Sequence, residues 1–406
     1  MKKLLVFGLA IFLVAAFTLP ASALENKLGG YMRTRFMTYY NTNGLDDGTG
    51  DNRLVDTRTR LYYTALINDN LKFVFKSEHD ATWGGTAYGT VGADGQDFQV
   101  KNSYIDFNLS KFNFIVGTQG FVFGRGHIFD DDATGVSLIW RGNKNIVPAL
   151  YWVRYKEGGS GNNNGKDDDI YHAMVVVKTD TLQIVPHVTY WYSNDTGTSG
   201  LGTAGDAAKV YYVGADVSMK FKPIDFTLSG IYQGGDYSDT VDVSAYMLNA
   251  LVSAKFGAFG IHGEAIYGTG DDNTDNTVDA WTPPPGYSYS WSEGYAKGDI
   301  DKAGFSAGTT GDKSAQNLMA FNAGLDFSIT KTWSAKLDFW NINLAEDDAA
   351  GNKDIGNEIS LKLKGKVIDG LDLLLIGAYM FSGDAFYTGA NEGDPIELAA
   401  QLSVSF

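Results

Sequence analysis

The sequence predicts an all-β fold: a transmembrane, antiparallel up-and-down β-barrel of 16 to 18 strands, with 18 counted along the chain. Three observations predict it. Segments with apolar and polar residues alternating at period 2 recur along nearly the whole chain, the mark of strands whose two faces meet different surroundings. The connections between them alternate short and long, as tight turns at one rim of a barrel and longer loops at the other require. After residue 23 no apolar stretch approaches the 18 residues of a membrane helix, so only a closed barrel could cross a bilayer.

The chain opens on MKKLLVFGLAIFLVAAFTLPASA. Lys2 and Lys3 precede an apolar run from Leu4 to Leu19, and Ala21-Ser22-Ala23 forms a small-residue cleavage site. Residues 1–23 therefore read as a secretory signal peptide, and 24–406 as a single domain with no linker. Without Lys2 and Lys3 the net charge moves from −16 to −18, which argues against nucleic acid as a partner. No cysteine is present, so disulfides, thiolate zinc sites, iron–sulfur clusters and covalently attached haem are excluded. Forty-nine glycines and 14% aromatic residues suit many strands joined by turns.

The predicted strands span residues 28–40, 55–67, 71–83, 97–109, 112–120, 134–141, 146–157, 170–179 and 181–193 in the first half. The second half adds 208–221, 224–234, 242–256, 259–269, 315–329, 333–345, 355–367, 371–382 and 395–406. Short turns fall at Asn68–Asn70, Ser110-Lys111, Lys222-Pro223, Gly257-Ala258 and Asp369-Gly370. Gly/Asp/Asn-rich loops lie between, the longest from about Gly270 to Ser314. In 208–221, Tyr211, Val213, Val217 and Phe221 oppose Tyr212, Gly214, Asp216 and Lys220. Nearly every strand keeps one such polar face, whereas a sandwich of this size would bury some strands on both sides. Tyr39, Tyr40, Trp83, Trp140, Tyr190, Trp191, Tyr192 and Trp333 gather near strand ends, where bilayer interfaces favour amphipathic rings. Pro186 interrupts a strand and forfeits a ladder hydrogen bond, which predicts a bulge there.

Charge on the polar faces marks the candidate pore. Arg33 and Arg35 share a face of one strand, Arg58 and Arg60 a face of the next. On the lipid side each arginine near the midplane would cost ~2–4 kcal/mol, so the four belong in the lumen or at a rim. Lys72, Lys76, Glu78 and Asp80 follow on the third strand, with Asp106, Arg154, Lys336 and Asp338 further on. These twelve are the predicted pore-lining residues: a basic ladder facing acids across water, or a wall whose charges neutralise one another. The acidic loop clusters lack the full calcium-loop spacing and read as solvated rim charge. Two segments could fold inward and narrow the channel, FVFGRGHIFDDDATG at 121–135 and TPPPGYSYSWSEGY at 282–295; so many rings in the second must pack on something. The five histidines show no metal spacing and no catalytic motif stands out, so neither enzyme activity, cofactor nor metal is expected.

The closing segment PIELAAQLSVSF puts Ile396, Leu398, Ala400, Leu402, Val404 and Phe406 on one face and Glu397, Gln401, Ser403 and Ser405 on the other. It reads as the strand that closes the barrel against 28–40. With the signal peptide and the alternating loop lengths, it makes the mature chain resemble bacterial outer-membrane porins. Residues 115–136, IVGTQGFVFGRGHIFDDDATGV, are similar to alginate-export-type porins, although Thr118 stands where that family has Arg. The resemblance implies the outer membrane of a Gram-negative cell, with membrane lipid and lipopolysaccharide around the barrel. It further implies a water-filled channel for passive diffusion of ions and small hydrophilic solutes, and a homo-trimer by analogy. A substrate-specific channel, a barrel sheathing a partner protein and an adhesin using its loops stay open as alternatives.

Overall fold

A computed structural model describes residues 25–85, 98–158, 167–194, 207–272, 275–300, 304–305, 314–386 and 392–406. The predicted signal peptide and the loop at 195–206 lie outside these residues. The first half comprises β1 (Glu25–Tyr40), β2 (Asn52–Asn68), β3 (Leu71–Thr82), β4 (Gln99–Leu109), β5 (Phe112–Phe123), β6 (Phe129–Trp140), β7 (Ile146–Lys156), β8 (Asp168–Lys178) and β9 (Leu182–Ser193). The second comprises β10 (Ala208–Phe221), β11 (Ile224–Ser238), β12 (Val241–Phe256), β13 (Phe259–Gly268), β14 (Thr277–Val278), β15 (Leu318–Ser328), β16 (Trp333–Asn343), β17 (Asp354–Ile368), β18 (Leu371–Ser382) and β19 (Ile396–Ser405).

Eighteen of these strands close into one antiparallel barrel in chain order, β13 pairing directly with β15. The two-residue β14 lies in the long loop and pairs parallel with β12. The predicted closure holds: β19 pairs with β1 from Tyr31↔Ser405 to Tyr40↔Ile396. Closure removes the unpaired edge that a sheet would otherwise expose. At the seam, Gly30 N donates to Phe406 O at 2.8 Å and Phe406 N donates back to Gly30 O at 3.1 Å. A Cβ at position 30 would stand 2.3 Å from the Phe406 ring, so only glycine lets that ring lie against the first strand.

Alternation sorts the side chains as a barrel demands. On β10, Tyr211 and Val213 are exposed while Val210 and Tyr212 are fully buried. On β1, Leu28, Met32 and Phe36 face out, between inward Tyr31, Arg33, Arg35 and Met37. An apolar outer wall this extensive is what hydrocarbon wets and water does not. Trp152, Tyr171, Tyr190 and Tyr211 are direct cross-strand partners and form a continuous outer aromatic row near the loop end. Of the predicted interface aromatics, Trp83 is exposed on the outside, but Tyr39 and Trp191 turn inward and are fully buried. Pro186 produces no bulge. The β8–β9 register is unchanged across it, and the ladder omits the Cα pairs between Met174↔His187 and Val177↔Ile184.

Candidate pore: a charged wall and two inward loops

The inner face of β1 to β4 is a lattice of cross-strand ion pairs, because the antiparallel register sets each base beside an acid. Arg35 faces Asp56, Arg58 faces Asp80, Arg60 faces Glu78 and Lys72 faces Asp106. Arg35 and Asp56 are buried and bidentate, Nε to Oδ1 at 2.8 Å and Nη2 to Oδ2 at 2.5 Å. Arg58 grips Asp80 at 2.7 and 2.6 Å, and Glu78 accepts from Arg60 Nε at 2.5 Å. Lys72 reaches Asp106 at 2.9 Å, and Lys76 lies 5.5 Å over the Tyr62 ring. Lys336 and Asp338 pair at 3.0 Å on the opposite wall, where His262 bridges Asp338 and Asp326 at 2.7 Å each. Such pairing favours the neutralised wall over an unbroken basic ladder. Two bases are exceptions: Lys76, whose Cα partners are Tyr62 and Asn102 and which carries no ion pair among the described residues, and Arg33. Arg33 stands opposite Arg58, no ion pair reaches it among the described residues, and its Nε has no hydrogen-bond partner. It lines a vestibule of about 370 Å³ with Asp299, Lys364, Asp372, Gln401 and Ser403.

Arg154 does not belong to this wall. Its Cα partners are Thr134 and Asp169, and it shares a face with exposed Leu150 and Trp152, so it points outward near the loop end of β7. There Asp169 accepts from its Nε at 2.8 Å, Asp167 lies 2.5 Å away and Glu157 3.1 Å away. In the sequence Tyr151, Trp152, Val153, Arg154 and Tyr155 give apolar bulk on both phases, which hid the phase of the alternation.

Two connections fold into the bore. Between β5 and β6 the chain turns through Gly124 (φ 56°), Arg125 (φ 55°) and Gly126 (φ 91°). Three left-handed residues in a row need glycine around the arginine, and a Cβ at 126 would stand 2.6 Å from Ser288 O. The turn aims Arg125 Nη1 at Ser229 Oγ and Asn249 Oδ1, both 2.9 Å away, and Nη2 at the Tyr289 hydroxyl, 3.3 Å away. Tyr289 donates in turn to Glu264 at 2.7 Å and lies 3.9 Å from the His127 ring. Burial, reinforced by the Arg125 cation, pushes the His127 imidazole down to about 3. Burial and the Glu264 carboxylate raise the Tyr289 phenol well above its ordinary range.

The second connection, from Thr277 to Ile300, straps the inner wall. Thr282 exchanges two hydrogen bonds with the Gln233 amide, at 2.9 and 2.8 Å. Its backbone meets the first loop directly: Ser288 N donates to Gly126 O at 3.1 Å, and Asp130 N to Gly286 O at 2.8 Å. Beyond, the fully buried Glu358 accepts from the backbone N–H groups of Glu293, Gly294 and Tyr295 at 3.1, 3.3 and 2.9 Å. Trp291 packs on Trp340 with ring centres 4.8 Å apart. Lys362 holds Glu293 and, at 2.8 Å, Asp299; Arg35 donates to Ile300 O. The 282–295 segment folds inward as expected, whereas of 121–135 only the turn from Gly124 to Ile128 does, the rest lying in β5 and β6; the rings of both bury one another in a large apolar cluster. β2, β3 and β4 contribute no side chain to that cluster. The lattice from Arg58 to Asp106 is thus the part of the wall the loops leave uncovered by apolar side chains, while Ile300, clustered with Met37 and Tyr39, covers the buried Arg35–Asp56 pair.

The outer loops use their acids differently. Asp47 accepts from Thr49 Oγ1 and N, and Asp348 from the N–H groups of Asn352 and Ala350. These bonds hold both carboxyls below the usual carboxylate range. Each closes its own turn.

An eighteen-strand ring with short turns at one end and two constricting loops inside invites comparison with solved barrels. The chain is similar to OpdO of Pseudomonas aeruginosa, at 12% identity over 94% of this chain and 97% of that one, with a TM-score of 0.63. A BenF-like porin from Pseudomonas fluorescens matches at 12% identity, 94% and 99% coverage and a TM-score of 0.60. The fold is that of an outer-membrane porin. OccAB4 of Acinetobacter baumannii shares it at 14% identity over 96% of this chain and all of that one, with a TM-score of 0.59. No family model matches the sequence, and no curated protein matches it. The porin fold here is therefore visible in three dimensions and not in sequence identity.

Proposed function

We propose that the chain is an outer-membrane channel for passive diffusion of ions and small hydrophilic solutes, exported by a signal peptide, residues 1–23, that is then cleaved. The observation that carries this reading is the inversion of polarity across the wall. Apolar side chains cover the outside, while the inside of β1 to β4 is lined with charge. Of that inner lattice, Arg33, Arg58, Arg60, Lys72, Lys76, Glu78, Asp80 and Asp106 line the path that solutes follow, and Lys336 faces it, while Arg35 and Asp338 are buried and act through the partners they hold. Because most of its charges are paired, the wall wets the bore without a strong net field, and Arg33 and Lys76 supply the uncompensated positive charge. The two interlocked loops favour a narrow passage that sorts solutes by shape over a wide, unselective pore. The reading gives the chain no enzymatic step.

Osmotic swelling of reconstituted liposomes tests it. Swelling with small sugars and amino acids, falling off as solute size rises, is the expected result. Equal and negligible rates for protein-containing and protein-free liposomes would rule out a diffusion channel.

A further inference from the structure

The outer wall is not uniformly convex. Over β18, β19, β1, β2 and β3 it carries a depression of about 730 Å³. Its floor is made of small outward residues, Thr38 and Ala400, the Cα partners of Leu398 and Phe36. Leu375 and Leu398 flank one side and exposed Phe36 and Trp83 the other, the two rings edge to face at 5.9 Å. At the loop end of this groove stands Arg53, beside Thr38 in the β1–β2 register and on the outer face. Its Nη2 donates to the Tyr40 hydroxyl at 2.9 Å, and its guanidinium lies 5.5 Å from the Tyr40 ring. No carboxylate pairs with it among the described residues, in contrast to Arg35, Arg58 and Arg60 inside the barrel.

An apolar trough ending in a pre-oriented guanidinium fits an amphiphile whose acyl chain lies along the strands and whose anion sits at the headgroup plane. Arginine is the side chain best shaped for phosphate, and holding it against Tyr40 lowers the cost of ordering it. The long loops define this end as the extracellular one, so the leaflet concerned is the outer leaflet. We propose that the groove binds the lipid A part of lipopolysaccharide, an acyl chain over Thr38 and Ala400 and a phosphate on Arg53. The proposal rests on the outer-membrane reading above.

The test places wild type, Arg53→Ala and Ala400→Phe in phosphatidylcholine nanodiscs doped with bisphosphorylated lipid A, dephosphorylated lipid A or phosphatidylglycerol. Native mass spectrometry then reads the lipid each barrel retains. Wild type should retain bisphosphorylated lipid A about tenfold better than either of the others, the scale of one charge-assisted contact. Arg53→Ala should lose that preference, and Ala400→Phe should weaken retention of both lipid A forms. Phosphatidylglycerol retained as well as lipid A, or equal retention by all three proteins, would overturn the assignment. The comparison of lipids on wild type stands even if a variant does not fold, which the heat-dependent gel shift reports. A wild-type barrel that conducts but ignores lipid A removes the groove and leaves the channel; one that retains lipid A without conducting does the reverse.

Discussion

Arg125 holds a conformation that costs a non-glycine residue roughly 1–3 kcal/mol, and it does so to place one guanidinium on three acceptors from two neighbouring strands and a loop. Arg125→Ala leaves Asn249, Ser229 and Tyr289 short of a donor, so the constriction should loosen by about 2–3 kcal/mol and single-channel conductance should rise. Glu358 is the second pin. Glu358→Ala strands three buried N–H groups, and a larger, noisier open current is expected, with barrel assembly intact by gel shift. His127 adds a pH response. Its ordinary value near 6.5 falls to about 3 in the folded loop, where Arg125, Tyr289 and Asn249 surround it. A released loop takes up a proton below 6.5 and the docked one does not. Docking therefore weakens progressively as pH falls below 6.5, and is unaffected by this group above 6.5. Conductance recorded from pH 7 down to 4 should rise or flicker, and His127→Phe should flatten that dependence.

The elements show what a linear chain reveals and what it hides. Strands were legible because their period is 2 and each face meets a different medium, as Tyr211 and Tyr212 show on β10. The closing role of β19 followed from the same pattern. Its seam with β1 is a place to test it: Gly30→Val would press two methyl groups toward the Phe406 ring and Arg60 O. Loss of the heat-stable folded band, or a midpoint shift corresponding to ~1–3 kcal/mol, is the expected outcome. The phase of β7 is not legible, because YWVRY offers bulk to both sides, so charge alone points Arg154 inward whereas it faces out. Likewise Tyr39 and Trp191 look like interface aromatics until the loops that cover them are placed. The strap was visible only as too many rings in one loop. Its pins on Gln233, Glu358 and Lys362 come from strands far away in sequence, and no local pattern encodes such pairs. The charged wall lies between these extremes. Its residues were found by face and type, but whether they formed a bare ladder or a neutralised lattice depended on cross-strand register, set by the hairpin turns.

At the scale of the molecule, two solvents and one closed sheet account for the arrangement. Hydrocarbon outside selects the apolar face, water inside selects the paired charges, and closure gives every barrel strand a hydrogen-bonded neighbour on both sides. The interlocked loops then divide the bore, filling the side toward β5 to β18, reaching β1 through Ile300, and leaving the lattice of β2 to β4 along the remainder. The most direct measurement is the current through single reconstituted barrels in a planar lipid bilayer under a salt gradient. Discrete, repeatable conductance steps, small because of the loops and with only weak preference for one sign of ion, are the predicted result. A barrel that inserts yet gives no step above the bare bilayer would contradict the account.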